Sequence, residues 1–261
     1  MSSIVRPSPA QKTRRYIVLA AALFAVVVPV VQALANLGLS QAEFAEDGNQ
    51  TLRVAGYAFS IWSLLYFGLV AYAVRQVLPQ TGESILVNRL GWPSAISFFG
   101  IGLWIVTAAM NLKAASVVVI LISLTALLVP MVLVSRHIRE TSLMDRDRIL
   151  LIWPLAALAG WLTVATPLNI ITVLTAGDAL PAVFTPTIWA IVFVAVTTVL
   201  TLGVSWALRT MAYPLPVAWG LVGAFVAHQD NNTVLSFAAL GAAFVIVVFG
   251  VIFTFGLRRV K

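Results

Sequence analysis

Apolar residues run through this chain in stretches of about twenty, the length needed to carry a helix across a hydrocarbon layer at 1.5 Å per residue. The stretches lie near residues 16–35, 55–78, 92–110, 114–134, 150–171, 186–208, 214–228 and 233–257, with brief polar breaks between them. This pattern predicts an all-α, polytopic transmembrane bundle of eight helices, of which the seventh falls short of the usual spanning length. The third and fourth stretches are joined only by about Met110 to Lys113, so their helices form an antiparallel hairpin. Pro29, Pro130 and Pro167 lie inside helical stretches, where each removes a backbone hydrogen bond and tends to kink its helix.

The positions of the basic residues orient this bundle. With the N-terminus in the cytoplasm, the cytoplasmic segments hold Arg6, Lys12, Arg14, Arg15, Arg75, Arg89, Arg136, Arg139, Arg146, Arg148, Arg209, Arg258, Arg259 and Lys261. The opposite side holds only Arg53 and Lys113, together with Glu43, Glu46, Asp47, Asp178 and Asp230. Such asymmetry is the mark of a positive-inside topology, and it requires an even number of crossings with both ends in the cytoplasm. The basic start resembles a signal peptide, but the apolar run after it is too long for an h-region and ends in no small-residue cleavage site, so it reads as an uncleaved first span.

Composition agrees. The chain is 61% hydrophobic and 10% charged, too few charges to clothe a water-soluble body of 261 residues. A net charge of +7 invites a nucleic-acid reading, yet the cations sit singly or in short clusters between spans, so no nucleic-acid partner is expected and membrane lipids are the first partner. Cysteine is absent, which excludes thiolate metal sites and disulfides.

The spans themselves carry no clear Asp, Glu, Lys, Arg or His, which argues against a carboxylate-driven pump, a voltage sensor or a retinal Schiff base. His137 and His228 fall in connections on opposite sides, read as solvated, and cannot share one metal or haem. No nucleophile and base pair, Gly-rich phosphate loop or metal-ligand cluster is present, so a non-enzymatic protein is expected. Aromatic and small polar residues remain. In the second span Trp62 and Tyr66 are four apart and share a helix face, and in the fifth Trp161, Ala165 and Asn169 recur every four residues with Thr163 and Thr166 beside them. Trp92, Trp153, Trp189 and Trp219 sit near span ends, where tryptophan anchors helices at the interface, whereas Trp62 and Trp161 lie further in.

Phe59, Ile61, Trp62, Leu65 and Tyr66 resemble the second-helix F-x-I-x-W-x-x-L-Y pattern of the TspO/translocator proteins, the tryptophan-rich sensory proteins. Trp161, Thr163, Ala165, Thr166 and Asn169 match in register the W-x-T-x-A-T-x-x-N of that family's fifth helix, and Trp104 stands where its third-helix Trp is found. The chain departs from the family in lacking the W-Y-x-x-L-x-K-P loop after helix one and in carrying Ile101 where an Asn is expected. The resemblance covers residues 1–172 as a five-helix unit, with 173–261 forming three further helices as in a longer bacterial branch.

The resemblance implies a cavity for hydrophobic small molecules such as porphyrins. Trp62, Trp161 and Ala165 would line it, with Tyr66, Trp104, Thr163 and Asn169 as further ligand-binding candidates. It implies a bacterial inner-membrane binder, sensor or carrier with no covalent cofactor, whose bound group is a tetrapyrrole or lipid, and a homodimer or membrane-complex partner. Light-dependent porphyrin degradation would rest on the resemblance alone. The competing readings are a transporter of a neutral substrate and a non-catalytic subunit of a larger membrane complex.

Overall fold

The computed structural model describes residues 7–78 and 84–256. Its helices are α1 (Pro9–Leu34), α2 (Gln41–Glu46), α3 (Ile61–Val77), α4 (Ile85–Ala109), α5 (Lys113–Leu133), α6 (Ser135–Glu140), α7 (Trp153–Ala176), α8 (Pro186–Leu208), α9 (Pro214–His228) and α10 (Thr233–Val251). A 3₁₀ turn at Gly56–Ser60 leads into α3, and π turns at Arg148–Ile152 and Ile252–Gly256 lead into α7 and out of α10. Residues 79–83 of the second connection and the basic tail residues Arg258, Arg259 and Lys261, like Arg6, lie outside the described residues.

The helix starts are written in the sequence. Ser8, Ser40, Ser84, Thr185 and Asn232 each accept a hydrogen bond from a backbone N–H of the first turn, satisfying a donor that no helical carbonyl can reach. Pro9, Pro186 and Pro214 open their helices where a missing N–H costs nothing. Several connections turn through left-handed residues, including Asn36, Asn111 and Asp178, types that tolerate a positive φ. Pro93 also lies inside a helix, because α4 begins a full two turns before the apolar stretch that announced it.

Among the described residues, seven helical segments are long and apolar enough to cross a membrane, and α9 is the shorter apolar eighth. It nonetheless runs antiparallel to α10 along most of that helix's length. The Ser236 hydroxyl donates to the Phe225 carbonyl at 3.1 Å, while Gly250, fourteen residues or about 21 Å further along α10, faces Pro214 at the start of α9. The two innermost helices are α4 and α7, with 61% and 67% of their apolar windows buried against 28–39% for the other long segments. Where α7 meets the start of α9 the approach is very close: a Cβ on Gly160 would lie 2.0 Å from the Tyr213 carbonyl oxygen.

Two end faces result. One collects Arg14, Arg15, Arg75, Arg139 and Arg148; the other holds Asp47, Arg53, Lys113 and Asp178. The expected clearance of charge from the helices holds in their middles but not at the arginine-rich end. Arg14 and Arg15 belong to α1 and are buried, Arg14 lying in a notch at Gly91 and donating to Asn88 Oδ1 at 2.6 Å, Arg15 donating to the Gln76 carbonyl at 2.8 Å. Arg148 is fully buried and donates to the carbonyls of Ile138, Thr141 and Ser142. A guanidinium is tolerated there because its donors close off carbonyls that helix ends leave open. His228 also differs from its reading as solvated. It closes α9, is 2% exposed, and its Nε2 accepts the Arg53 N–H at 3.2 Å.

Candidate functional site

On the side of Asp47 and Lys113, a cavity opens among α3, α4, α5 and α7 beneath the short helix α2. Trp62 of α3, Trp104 of α4, and Trp161, Ala165 and Asn169 of α7 all line it. The four-residue recurrence on α7 brings three of these to one face, and α3 and α4 supply the facing rings. Trp62 and Trp161 meet edge to face at 6.2 Å and 81°, and Phe59 approaches Trp161 in the same manner at 6.2 Å and 83°. These are the geometries in which the positive rim of one ring meets the negative face of another.

Asn169 organises the polar side. Its Oδ1 accepts the Trp104 indole N–H at 2.9 Å and its Nδ2 donates to Ser116 Oγ at 3.0 Å, joining α4, α5 and α7. It is 4% exposed, sealed from water. The other two indoles differ: Trp62 Nε1 and Trp161 Nε1 are both buried and neither has a hydrogen-bond partner. A buried donor left unmade costs roughly 1–3 kcal/mol.

Two expected residues take other places. Tyr66 does not line the cavity; it stacks on Trp62 at 5.2 Å and 19°, one turn toward the arginine-rich end, and supports that ring from behind. Thr163 faces away altogether. Its hydroxyl is paired with the Ala159 carbonyl at 2.8 Å and with the Tyr213 hydroxyl at 2.9 Å, so it joins α7 to α9. Two residues along a helix are about 200° apart at 3.6 residues per turn. Thr163 therefore shares its motif with Trp161 and not its face.

The lid was not anticipated. Gln41, Phe44 and Ala45 of α2 close the cavity, and Phe44 meets Trp104 edge to face at 6.2 Å. Its sequence signal is the Ser40/Glu43 pair three residues apart, which forms a reciprocal capping box. The lid is fastened by contacts around its rim. Lys113 Nζ lies 2.8 Å from Asp47 Oδ2, the hydroxyls of Thr51 and Thr175 are 2.6 Å apart, the Leu39 N–H donates to the Ala109 carbonyl at 3.0 Å, and Gly38 takes φ +68° against that same carbonyl. Glu43, at the N-terminus of α2, has its carboxyl held below the usual 4.5 first by the Ser40 backbone N–H and then by the Ser40 hydroxyl.

Helix α9 backs the site from the far side. Gly220 lets it approach the Trp161 ring and Val164, the Trp219 indole donates to the Ala58 carbonyl at 2.9 Å, and the Ala55 N–H donates to the Gly223 carbonyl at 2.9 Å. The segment leading into α3, and with it Phe59 and Trp62, is thus positioned by a helix beyond residue 172. In this closed arrangement the cavity has about 30 Å³ of free space, room for about two waters.

These features define a multi-pass helical membrane protein with an aromatic, lidded interior cavity. The family model described as TSPO-like protein matches residues 15–252, and the chain belongs to that family. The match runs from α1 through α8 and α9 and into the final π turn, so the helices after residue 172 fall within it. No curated protein and no solved structure matches the chain.

Proposed function

We propose that the chain is a non-enzymatic binder and sensor of a flat, hydrophobic small molecule, a tetrapyrrole by chemical class, in the bacterial inner membrane. The observation that carries this reading is one cavity walled by Trp62, Trp104 and Trp161, of which Trp62 and Trp161 have indole N–H groups buried without acceptors. Rings stack favourably on such walls, and we infer that carboxylate or carbonyl oxygens of a ligand supply the missing acceptors. The family supports a membrane binder or sensor in general terms; the tetrapyrrole is our inference from the walls.

The closed cavity is far smaller than the several hundred Å³ of typical ligand pockets, so a porphyrin enters only if part of the wall moves, and we infer that the six-residue α2 is the part that does. Toward the arginine-rich end the interior is filled by the Trp62–Tyr66 stack and by buried Leu65 and Leu69, which favours a binding chamber over a through-passage. Membrane lipids are its immediate partners, and no nucleic-acid role is proposed.

Titration of the detergent-purified protein with protoporphyrin IX, followed by the shift of the porphyrin absorption band, tests the reading. Saturable binding that Trp62→Ala and Trp161→Ala each weaken at least tenfold is expected. Equal, non-saturating association by wild type and both variants would overturn it.

A further inference from the structure

His228 is buried at the end of α9, yet it does not line the cavity beneath α2. Its ring instead holds a piece of chain. Residues 51–60 join α2 to α3, so that Phe44 and Ala45 line the cavity just before this segment while Phe59 and Trp62 line it at and beyond its end. The segment is irregular as far as Ala55, and backbone without helical bonds must find partners for its N–H groups elsewhere. Helix α9 supplies them. The Arg53 N–H donates to His228 Nε2 at 3.2 Å and the Ala55 N–H to the Gly223 carbonyl at 2.9 Å, while the Ala58 carbonyl accepts from the Trp219 indole at 2.9 Å. The seam is tight: a Cβ on Gly223 would lie 2.8 Å from that of Ala58, and Val54 and Ala58 are both buried there.

One of these fastenings can be switched. Backbone carbonyls and an indole keep their hydrogen-bonding roles near neutral pH, whereas an imidazole nitrogen accepts only while it carries no proton, and the ring ordinarily titrates near pH 6.5. A proton on Nε2 turns the acceptor into a second donor aimed at the Arg53 N–H and sets a cation beside the Arg53 side chain. Both changes push the segment away. Around the rest of the ring, Asn231 of the turn into α10 is a neutral amide, Asp230 is exposed in that turn and screened by water, and the first residues of α10, Thr233 to Ser236, carry no ionisable side chain.

We propose that His228 is a pH-sensitive latch: its neutral ring fastens residues 51–58 to α9, and acidification releases them, loosening the lid and the aromatic wall together. The consequence for ligand uptake rests on the reading of the cavity as a binding site, whereas the latch itself does not. The neutral ring's contribution is complete above about pH 6.5 and is lost as pH falls below it, by up to tenfold in the closed-to-open ratio per pH unit for a single proton.

Hydrogen–deuterium exchange of the ligand-free full chain in detergent, read on peptides covering residues 51–58 and corrected for the intrinsic pH dependence of exchange, tests the latch. Protection that is level above about pH 6.5 and at least fivefold lower by about pH 5 is expected. His228→Gln and His228→Asn, each bringing a neutral carbonyl acceptor, should be level throughout, and His137→Gln, at the arginine-rich end, should follow wild type. If neither variant at residue 228 folds, His137→Gln decides alone, because His137 and His228 are the chain's two histidines. Level protection in wild type, an equal fall in His228→Gln, or a fall abolished by His137→Gln would overturn the proposal. Protoporphyrin titration of the same samples separates the two readings. Saturable binding with level protection would overturn the latch and leave the cavity's role, whereas falling protection without saturable binding would support the latch and overturn that role.

Discussion

Replacing Trp62 or Trp161 by Phe separates the two consequences of an indole N–H that is buried without an acceptor. In the ligand-free protein each N–H is a liability, and its removal recovers part of the roughly 1–3 kcal/mol that an unmade buried hydrogen bond costs. The smaller ring gives back some of that gain as lost packing, because Trp161 touches Phe59 and Trp62, and Trp62 touches Tyr66. The net effect on stability is therefore small, within about 1 kcal/mol by the difference of these two quantities. Binding behaves differently. If the ligand supplies an acceptor, each Phe variant forfeits a hydrogen bond with a net worth of roughly 0.5–1.5 kcal/mol, a loss of about 2- to 13-fold in affinity. The double variant should lose less or more than the product of the singles, since the rings are in contact. Thermal unfolding in detergent and protoporphyrin absorbance titrations of the wild type, both single variants and the double variant measure the two quantities on the same samples. Phe variants that bind as tightly as wild type, with Ala variants weakened, would refute the acceptor argument while leaving the aromatic walls in place.

Further outcomes follow from the lid and its base. Asn169→Leu removes the acceptor of the buried Trp104 N–H and should destabilise the protein by roughly 1–3 kcal/mol in a denaturation assay, whereas Asn169→Leu combined with Trp104→Phe should recover much of that loss. Lys113→Met removes the bridge to Asp47, whose partners are about one-third exposed and so worth only about 0.2–1 kcal/mol; stopped-flow porphyrin binding should accelerate about 1.4- to 5-fold, and wild type should approach the variant's rate in high salt. The folded-state carboxyl of Glu43 is held below 4.5, so its stabilisation of α2 is complete above that pH and is lost as pH falls below it. Porphyrin uptake should therefore quicken in that acidic window for wild type and stay flat there for Glu43→Gln, as read by stopped-flow at a series of pH values.

Much of the bundle was legible because the membrane imposes one length on every crossing, and α8, α9 and α10 begin where the apolar stretches begin. Two helix starts slipped because hydropathy stops at an arginine but a helix does not: Arg14 and Arg15 lie within α1 and Arg89 within α4, whereas α3 begins late, after the 3₁₀ turn at Gly56–Ser60. The site was legible where helical spacing alone selects a face, which is why Trp161, Ala165 and Asn169 converge and Thr163 does not. Trp104 was placed by its resemblance, and Ser116, which accepts from Asn169, had no periodic signal of its own. The lid stayed hidden because six residues are too few to show a period, although the Ser40/Glu43 cap marks its start. The role of α9 in holding Trp161 and the lead-in to α3 is tertiary and depends on Gly160 and Gly220, whose missing side chains say nothing until a neighbour is seen against them.

On the proposed reading, the chamber between α3, α4 and α7 receives the ligand after α2 moves, and a structure of the porphyrin-saturated protein is the decisive check. Ring density is expected between Trp62 and Trp161, with Phe44 drawn away from Trp104. Porphyrin density on the outer surface of the bundle, over an unchanged Phe44–Trp104 contact, would contradict it.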